Sequence, residues 1–330
     1  MSGPRILIVK TSSMGDVVHA LPLVSDLARA RPDATIDWVV EEGFAAIPAL
    51  HPAIDRVIKV ALRRWRRTPL GATTWSEVGA ARRALRERDY HAVIDCQGLI
   101  KSALIAAIAR GPVWGPARAS VRESLASVFY RHRVALDRSR HAIARSRALG
   151  AAVFGYSTDD APRFSLRLPA LTQAELAQFA RRGPYAVLLT NASRATKLWP
   201  PDRWRAVEAW LAGHGLTSAL FWGSDAEARD THARAEGMRN GWVAPKTPLP
   251  QLAALLAGAR LVIGLDTGLT HLAAACSAPT LGLFCDYDPA LVGVIGDAPC
   301  ASLGGVDVIP AVAEVIAAGE RLLGAARRPA

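Results

Sequence analysis

The sequence predicts an α/β protein of two doubly wound, Rossmann-like lobes, each built on a parallel sheet and facing the other across a cleft. Three observations lead there. Short apolar runs alternate with longer helical patterns from end to end, as in parallel strands joined by crossover helices. The alternation comes in two series, separated by residues 155–168, which are rich in Ser, Thr, Asp and Pro and read as a linker. A length of 330 residues suits two domains better than one. The lobes are drawn accordingly at 1–160 and 161–330.

In chain order, 5–10 (RILIVK) is the first strand, and Gly15-Asp16 opens a helix that runs to Arg31, where Pro32 and Asp33 end it. Residues 35–40 form the second strand, 57–60 a strand-like run, and 92–96 (AVIDC) another strand, followed by a helix over 99–110. The second series has strands at 185–190, 217–222, 260–265 and 279–284, with helices at 201–214, 226–237, 249–257 and 267–276. A final helix, 308–323, follows the Gly304-Gly305 turn and is expected to pack back on the N-terminal lobe. Doubly wound sheets bind ligands beyond the carboxyl ends of their strands. The loops there carry the functional reading.

Charge narrows the partners. Lys and Arg number 40 against 29 Asp and Glu, a net charge of +11. Residues 1–160 hold 24 basic and 15 acidic residues, whereas 161–330 hold 16 and 14. That imbalance suits an anionic partner held by the first lobe. With 51% hydrophobic residues, the chain can bury a core in each half and is not wholly disordered. No apolar run reaches the roughly 18 residues of a membrane span, and the N-terminus has no signal-peptide core. Cys96, Cys276, Cys285 and Cys300 form neither a CxxC pair nor a zinc-spaced cluster. They read as buried thiols of a reducing cytoplasm.

The turn after the first strand, Lys10-Thr-Ser-Ser-Met-Gly-Asp16, lacks the glycine pattern of a dinucleotide site or a P-loop. It offers one carboxylate at a strand–helix junction. Asp16 suits a helix cap as well as a general base, and a helix N-terminus favours its ionised form and so weakens the base. Arg63-Arg64-Trp65-Arg66-Arg67 is the densest charge cluster, read as a loop. Such runs are often solvated faces, yet guanidinium forks suit carboxylates and phosphates. RNA could use the same features, but no RNA-binding module surrounds them. Lys101, past Asp95-Cys-Gln-Gly98, either helps neutralise an anion beside Asp16 or is simply exposed.

In the second lobe, Ser193 and Lys197 share one loop before a Trp-Pro helix start, an arrangement suited to a diphosphate. Glu227 could accept from ribose hydroxyls or favour the first turn of its helix. Gly264-Leu-Asp266-Thr267-Gly268-Leu-Thr-His271 takes a strand into a helix whose free N–H groups favour an anion, with Gly268 admitting a phosphate. Asp286-Tyr-Asp288 has metal-binding spacing but no third ligand nearby, so it reads as a turn.

Five segments, 6–22 (ILIVKTSSMGDVVHALP), 37–44 (DWVVEEGF), 63–67 (RRWRR), 93–103 (VIDCQGLIKSA) and 265–274 (LDTGLTHLAA), resemble the lipopolysaccharide heptosyltransferase I family. These are bacterial ADP-heptose-dependent enzymes of glycosyltransferase family 9 with the GT-B architecture. The resemblance runs in order along essentially the whole chain; KTSSMGD and DTGLTHL carry it, and RRWRR separates this family from relatives that add the second heptose. It implies inverting, metal-independent transfer of L-glycero-D-manno-heptose from ADP-heptose to the Kdo of Kdo2-lipid A, with no cofactor. It places the acceptor on the first lobe and ADP on the second. Asp16 matches the general base and Lys197 the phosphate-binding lysine. Gly15, Ser193, Glu227, Asp266, Thr267, Gly268 and His271 fall at donor positions. Ser13, Arg63, Arg64, Arg66, Arg67, Lys101 and Arg122 fall at acceptor positions. The implied partners are ADP-heptose, Kdo2-lipid A and the inner face of the cytoplasmic membrane, to which a monomer attaches peripherally, without nucleic acid. Three departures mark this chain: Ala192-Ser193 in place of two threonines, Arg194-Ala195-Thr196 without the usual acidic residues, and Cys285-Asp286-Tyr287 in place of a Gly-Pro-Thr turn. The rival readings are a sister heptosyltransferase that adds a later heptose, and a basic nucleotide- or RNA-binding protein without transferase activity.

Overall fold

The structure is a computed structural model that describes residues 3–325. The chain divides into two compact units, Met1–Arg167 and Leu168–Ala330. In the first, β1 (Arg5–Val9), β2 (Thr35–Glu41), β3 (Ile54–Val60), β4 (Ala92–Asp95), β5 (Val113–Pro116) and β6 (His132–Val134) form one sheet in the order β3-β2-β1-β4-β5-β6. In the second, β7 (Tyr185–Leu189), β8 (Thr217–Leu220), β9 (Gly241–Val243), β10 (Leu261–Leu265), β11 (Thr280–Phe284) and β12 (Cys300–Gly304) follow the order β12-β11-β10-β7-β8-β9. Every pairing in both sheets is parallel. The two orders are the same pattern repeated. Each unit's first strand lies at the centre, its second and third to one side, its fourth to sixth to the other. The direction of winding therefore reverses between β1 and β4 and again between β7 and β10, where such sheets leave a crevice beyond the strand ends.

Helices cover both faces, so the central strands are continuous apolar runs rather than alternating ones. Ile6 to Val9 and all of β10 and β11 are buried. In β10, Gly264 is dictated by packing: a Cβ there would lie 2.3 Å from Thr270 Oγ1 of the following helix. That helix, Gly268–Ala275, is thereby held flush against the sheet.

Four expectations are modified. The helix expected from Gly15 to Arg31 is two helices, Met14–His19 and Leu21–Ala30, because Pro22 has no N–H to donate one turn back to Val18. The RRWRR segment opens with a helical turn, Leu62–Trp65, rather than a loop. The final helix is Val312–Ala325, and its buried face (Val315, Ala318, Leu322, Leu323) joins the C-terminal unit's own core. A Cβ at Gly319 would lie 2.5 Å from the Trp210 ring, so this contact is close. The unit boundary falls after Arg167 rather than after residue 160, because the linker is fastened to the first unit. Phe164 is buried, Arg167 N donates to Leu50 O at 2.8 Å, and Asp160 pairs with Arg29.

Arg147 is the centre of that attachment. Its Nε and Nη2 hold Asp26 at 2.7 and 3.1 Å in a pair whose side chains are each 6% exposed, and Nη1 donates to Asp160 O at 2.7 Å. Removing one partner of a buried pair costs about 3–5 kcal/mol, because the other charge is stranded. Arg147→Met is expected to lower stability by about 3 kcal/mol, read as a shift in the denaturant midpoint. A wild-type midpoint would show that the pair contributes little.

Candidate functional site

At the first reversal, the loop after β1 is stitched to the loop after β4. Lys10 donates to Cys96 O at 3.0 Å and lies 3.8 Å from Asp16 Oδ1. Gln97 Oε1 accepts from the N–H groups of Thr11 and Ser12, each at 3.1 Å. Lys101 Nζ reaches Ser12 Oγ at 3.3 Å. Beneath them lies Asp95, which accepts from Tyr130 OH at 2.8 Å, Ser102 Oγ at 2.9 Å and the N–H groups of Gln97 and Gly98. Burial pushes its carboxyl above the usual range despite these bonds. Gly98 allows the turn, with φ at +68°, and a Cβ there would lie 2.9 Å from Val121 Cγ2.

Asp16 has the capping role that its sequence position suggested. Oδ2 accepts from Ser13 N at 2.9 Å and Ser13 Oγ at 2.8 Å, reaching back as the third residue of a capped helix does. Its side chain nevertheless remains 43% exposed, so the carboxylate can receive a proton from a bound hydroxyl.

The arginine turn is set by Glu41 at the end of β2. Its buried carboxylate accepts from Leu62 N at 3.2 Å and Arg63 N at 2.9 Å, satisfying the first donors of Leu62–Trp65. The four arginines then divide. Arg64 is taken up by Glu42 at 2.9 Å and Glu77 at 2.9 Å, which raise its pKa further, while both carboxylates are held below their usual range. Arg63 lies over the Phe44 ring, and Arg63, Arg66 and Arg67 are exposed without a protein carboxylate among the described residues. Arg122 is likewise exposed.

At the second reversal, the loop after β7 meets the loop after β10. Lys197 ends a single 3-10 turn (Ala195–Lys197), pairs with Asp266 Oδ2, and donates to Asp266 O at 3.3 Å. His271 Nε2 approaches Asp266 Oδ1 at 3.4 Å. Burial raises the Asp266 carboxyl, but the bonds from His271 and Lys197 outweigh it and hold the group below the usual aspartate range. Thr267 is the N-cap of Gly268–Ala275, so Thr267 and Gly268 stand where that helix presents its unpaired N–H groups. Ser193 is exposed in the same loop as Lys197.

Glu227 closes a capping box: Oε2 accepts from Gly223 N at 2.8 Å and Ser224 N at 3.1 Å. Oε1 makes no hydrogen bond among the described residues. Asp286 accepts from Thr196 and lies 3.7 Å from Arg194, and Asp288 Oδ1 accepts from Ala290 N at 2.8 Å. Both aspartates of the DxD spacing are thus occupied in fastening loops.

The structure therefore gathers Ser13, Gly15, Asp16 and Lys101 at one strand edge, and Lys197, Asp266, Thr267, Gly268 and His271 at the other. Sequence reading gave no role to Lys10, Glu41, Asp95 and Gln97, each of which holds at least one partner distant in the chain. The available signal was a polar residue at, or just past, the end of a strand.

Several comparisons bear on this arrangement. The model of glycosyltransferase family 9 (heptosyltransferase) matches residues 78–304. Lipopolysaccharide heptosyltransferase 1 of Pseudomonas aeruginosa is 43% identical over 306 residues, covering 90% of this chain and 85% of that one. Escherichia coli heptosyltransferase WaaC, solved with ADP, superposes with a TM-score of 0.83 at 37% identity, covering 98% of this chain and 99% of that one. The same E. coli enzyme with ADP-2-deoxy-2-fluoro heptose superposes at 0.80 and 37% identity, covering 97% and 99%.

The Lys197–Asp266 pair has a direct readout. Lys197→Met is expected to move the Asp266 carboxyl upward in a carbon-13 NMR titration, since burial then faces only His271. A depressed aspartate stabilises the fold above its unfolded value near 3.8 and loses that contribution as pH falls through the folded value. The wild type should accordingly lose its stability advantage over the variant in that acid range. An Asp266 titration unmoved by the substitution would mean that the pair does not form in solution.

Proposed function

The chain belongs to glycosyltransferase family 9, the heptosyltransferases, and from that premise we propose that it transfers L-glycero-D-manno-heptose from ADP-heptose to the Kdo of Kdo2-lipid A. The observation that carries the reading is the pairing of chemistries at the two winding reversals: a half-exposed carboxylate at one, a partly buried lysine beside a helix N-terminus at the other. A base and an anion-stabilising cation are what glycosyl transfer from a nucleotide diphosphate requires.

In this mechanism Asp16 takes the proton from the attacking Kdo hydroxyl. The hydroxyl oxygen bonds to the anomeric carbon from the face opposite ADP, the carbon–phosphate-oxygen bond breaks, and its electron pair leaves with ADP. The configuration inverts through an oxocarbenium-like transition state. Lys197 and the N–H groups at Thr267 and Gly268 take up the charge that grows on the diphosphate. Asp266 and His271 keep the lysine in place until the diphosphate competes for it. Glu227 Oε1 accepts from the ribose, while Ser193 adds one hydroxyl to the donor loop. On the acceptor side, Arg63, Arg66, Arg67, Lys101 and Arg122 meet carboxylates and phosphates. Arg64, already shared by two glutamates, holds the turn's shape.

No step in this scheme needs a metal ion, because Lys197 and the helix terminus carry the leaving-group charge. The acceptor is a lipid, so the monomer works at the inner face of the cytoplasmic membrane. A sister enzyme that adds a later heptose would leave Kdo2-lipid A untouched and act only on a heptosylated acceptor.

Purified chain with ADP-heptose and Kdo2-lipid A is expected to release ADP and form the heptosylated lipid; absence of product on that acceptor would overturn the assignment. Asp16→Asn is expected to keep the fold and lose ~10²–10⁴ in kcat, and near-normal turnover would reduce Asp16 to a helix cap. Replacing Arg63 and Arg66 with Ala is expected to raise the acceptor KM far more than the donor KM; equal effects would remove the arginine turn from the acceptor site. Turnover is expected to survive EDTA.

A further inference from the structure

The segment after β5 is amphipathic in the wrong sense for a water-facing turn. In the 3-10 stretch Ser124–Phe129, Ala126 and Ser127 are buried, while Leu125, Val128 and Phe129 are 63%, 68% and 38% exposed. The i, i+3 spacing of a 3-10 turn places Leu125 and Val128 on one face, and Phe129, the least exposed of the three, borders it. Leu104, 47% exposed, lies on the helix Ile100–Ile108 that packs against this stretch. Contiguous exposed apolar side chains of this kind mark a contact surface.

The surrounding charge says what kind of contact. Lys101, Arg118, Arg122 and Arg131 are all exposed, and among the described residues none is paired with a carboxylate. Glu123 is the single acidic residue from 118 to 133, and its Oε2 is engaged by Ile100 N at 2.7 Å. The floor is rigid: Tyr130 OH is held by Asp95, Arg133 Nε donates to Ser127 O at 2.8 Å, and Val121 lies against Gly98. An apolar tip ringed by unpaired cations fits a bilayer interface bearing anionic headgroups. A second copy of the chain fits it poorly, since a two-fold contact would bring the same cations face to face.

We propose that Leu125, Val128 and Phe129, with Leu104 beside them, insert into the interface of an anionic membrane while Arg118 and Arg131 meet its headgroups. The proposal rests on the reading of a lipid acceptor given above, and adds where the membrane lies. The same segment contacts the loop that carries Gln97 and Gly98, so the membrane surface borders the acceptor edge beside Asp16.

The test is sedimentation of the full chain with vesicles of phosphatidylcholine, with and without phosphatidylglycerol, for wild type, a Leu125→Ser/Val128→Ser variant and an Arg118→Glu/Arg131→Glu variant. The wild type is expected to bind the anionic vesicles and to be released by salt. Each variant is expected to bind about tenfold more weakly or worse. Both variants are expected to match the wild type in transfer to a water-soluble acceptor stripped of its acyl chains. Wild-type vesicle binding by both variants would overturn the proposal. So would a concentration-dependent dimer that the Leu125→Ser/Val128→Ser variant abolishes while vesicle binding persists. Failure of the wild type to use the water-soluble acceptor would instead count against the transferase reading and leave the vesicle result to be judged by itself.

Discussion

A lysine ammonium reaching across the gap between two parallel strands closes each sheet where its winding reverses. In the first unit Lys10, just past β1, donates to the carbonyl of Cys96, just past β4. In the second, Lys197 from the loop after β7 donates to the carbonyl of Asp266, just past β10. The positions correspond strand for strand. A doubly wound sheet sends its helices to opposite faces at this point, so the strand ends are left without a covering element and their loops with unpaired polar groups. The lysines satisfy carbonyls there and bring a positive charge to the same place. Each also has an aspartate in reach, Asp16 at 3.8 Å and Asp266 in direct contact. The surroundings then separate the two pairs: Asp16 stays open to solvent, whereas Lys197 and Asp266 are 14% and 11% exposed.

The basic excess of the first unit divides along similar lines. Part of it is structural. Arg56 and Arg88 hold the buried Asp37, Arg147 holds Asp26, and Arg64 bridges Glu42 and Glu77. These guanidinium groups brace strands, helices, turns and the linker and are already held by carboxylates. Among the cations that remain without a carboxylate are two groups, the turn at Arg63, Arg66 and Arg67 and the segment from Arg118 to Arg131. Both flank the loops that surround Asp16 in sequence or in packing, and both carry exposed apolar residues, Leu70 and Trp75 in one and Leu125 and Val128 in the other. Cations interleaved with apolar side chains suit the charged and lipid parts of the proposed acceptor.

The central strands were legible because a strand covered on both faces must be apolar throughout, and Ile6–Val9, Val93-Ile94, Val187–Leu189 and Leu261–Leu265 have no other use for such runs. The short outer strands were not. β5, β6, β9 and β12 are three to five residues long, and their pattern is too brief to separate from a loop. The helix Ala72–Arg86 was hidden by its own exposure: only Thr74 and Leu85 are buried along it, so its apolar periodicity is weak. The site showed the same division. Asp16, Lys197, Glu227 and Asp266 stood out because each is a charged residue at the mouth of a strand. Glu41 and Gln97 did not, because their role lies in bonds to backbone groups that sequence spacing cannot reveal.

By itself, the sequence determined that this is a two-unit α/β chain with a basic first half, and which strand ends carry carboxylates and cations. Those properties are local or additive: periodicity, composition and the residue type following an apolar run. Tertiary structure decided which charges are free and which are consumed. Lys10 meets Cys96 across 86 positions, Lys197 meets Asp266 across 69, and Arg147 meets Asp26 across 121. No local pattern encodes such pairs, because they arise only when parallel strands set distant segments side by side. That juxtaposition is why four adjacent arginines, alike in the sequence, become one brace and three open cations in the fold.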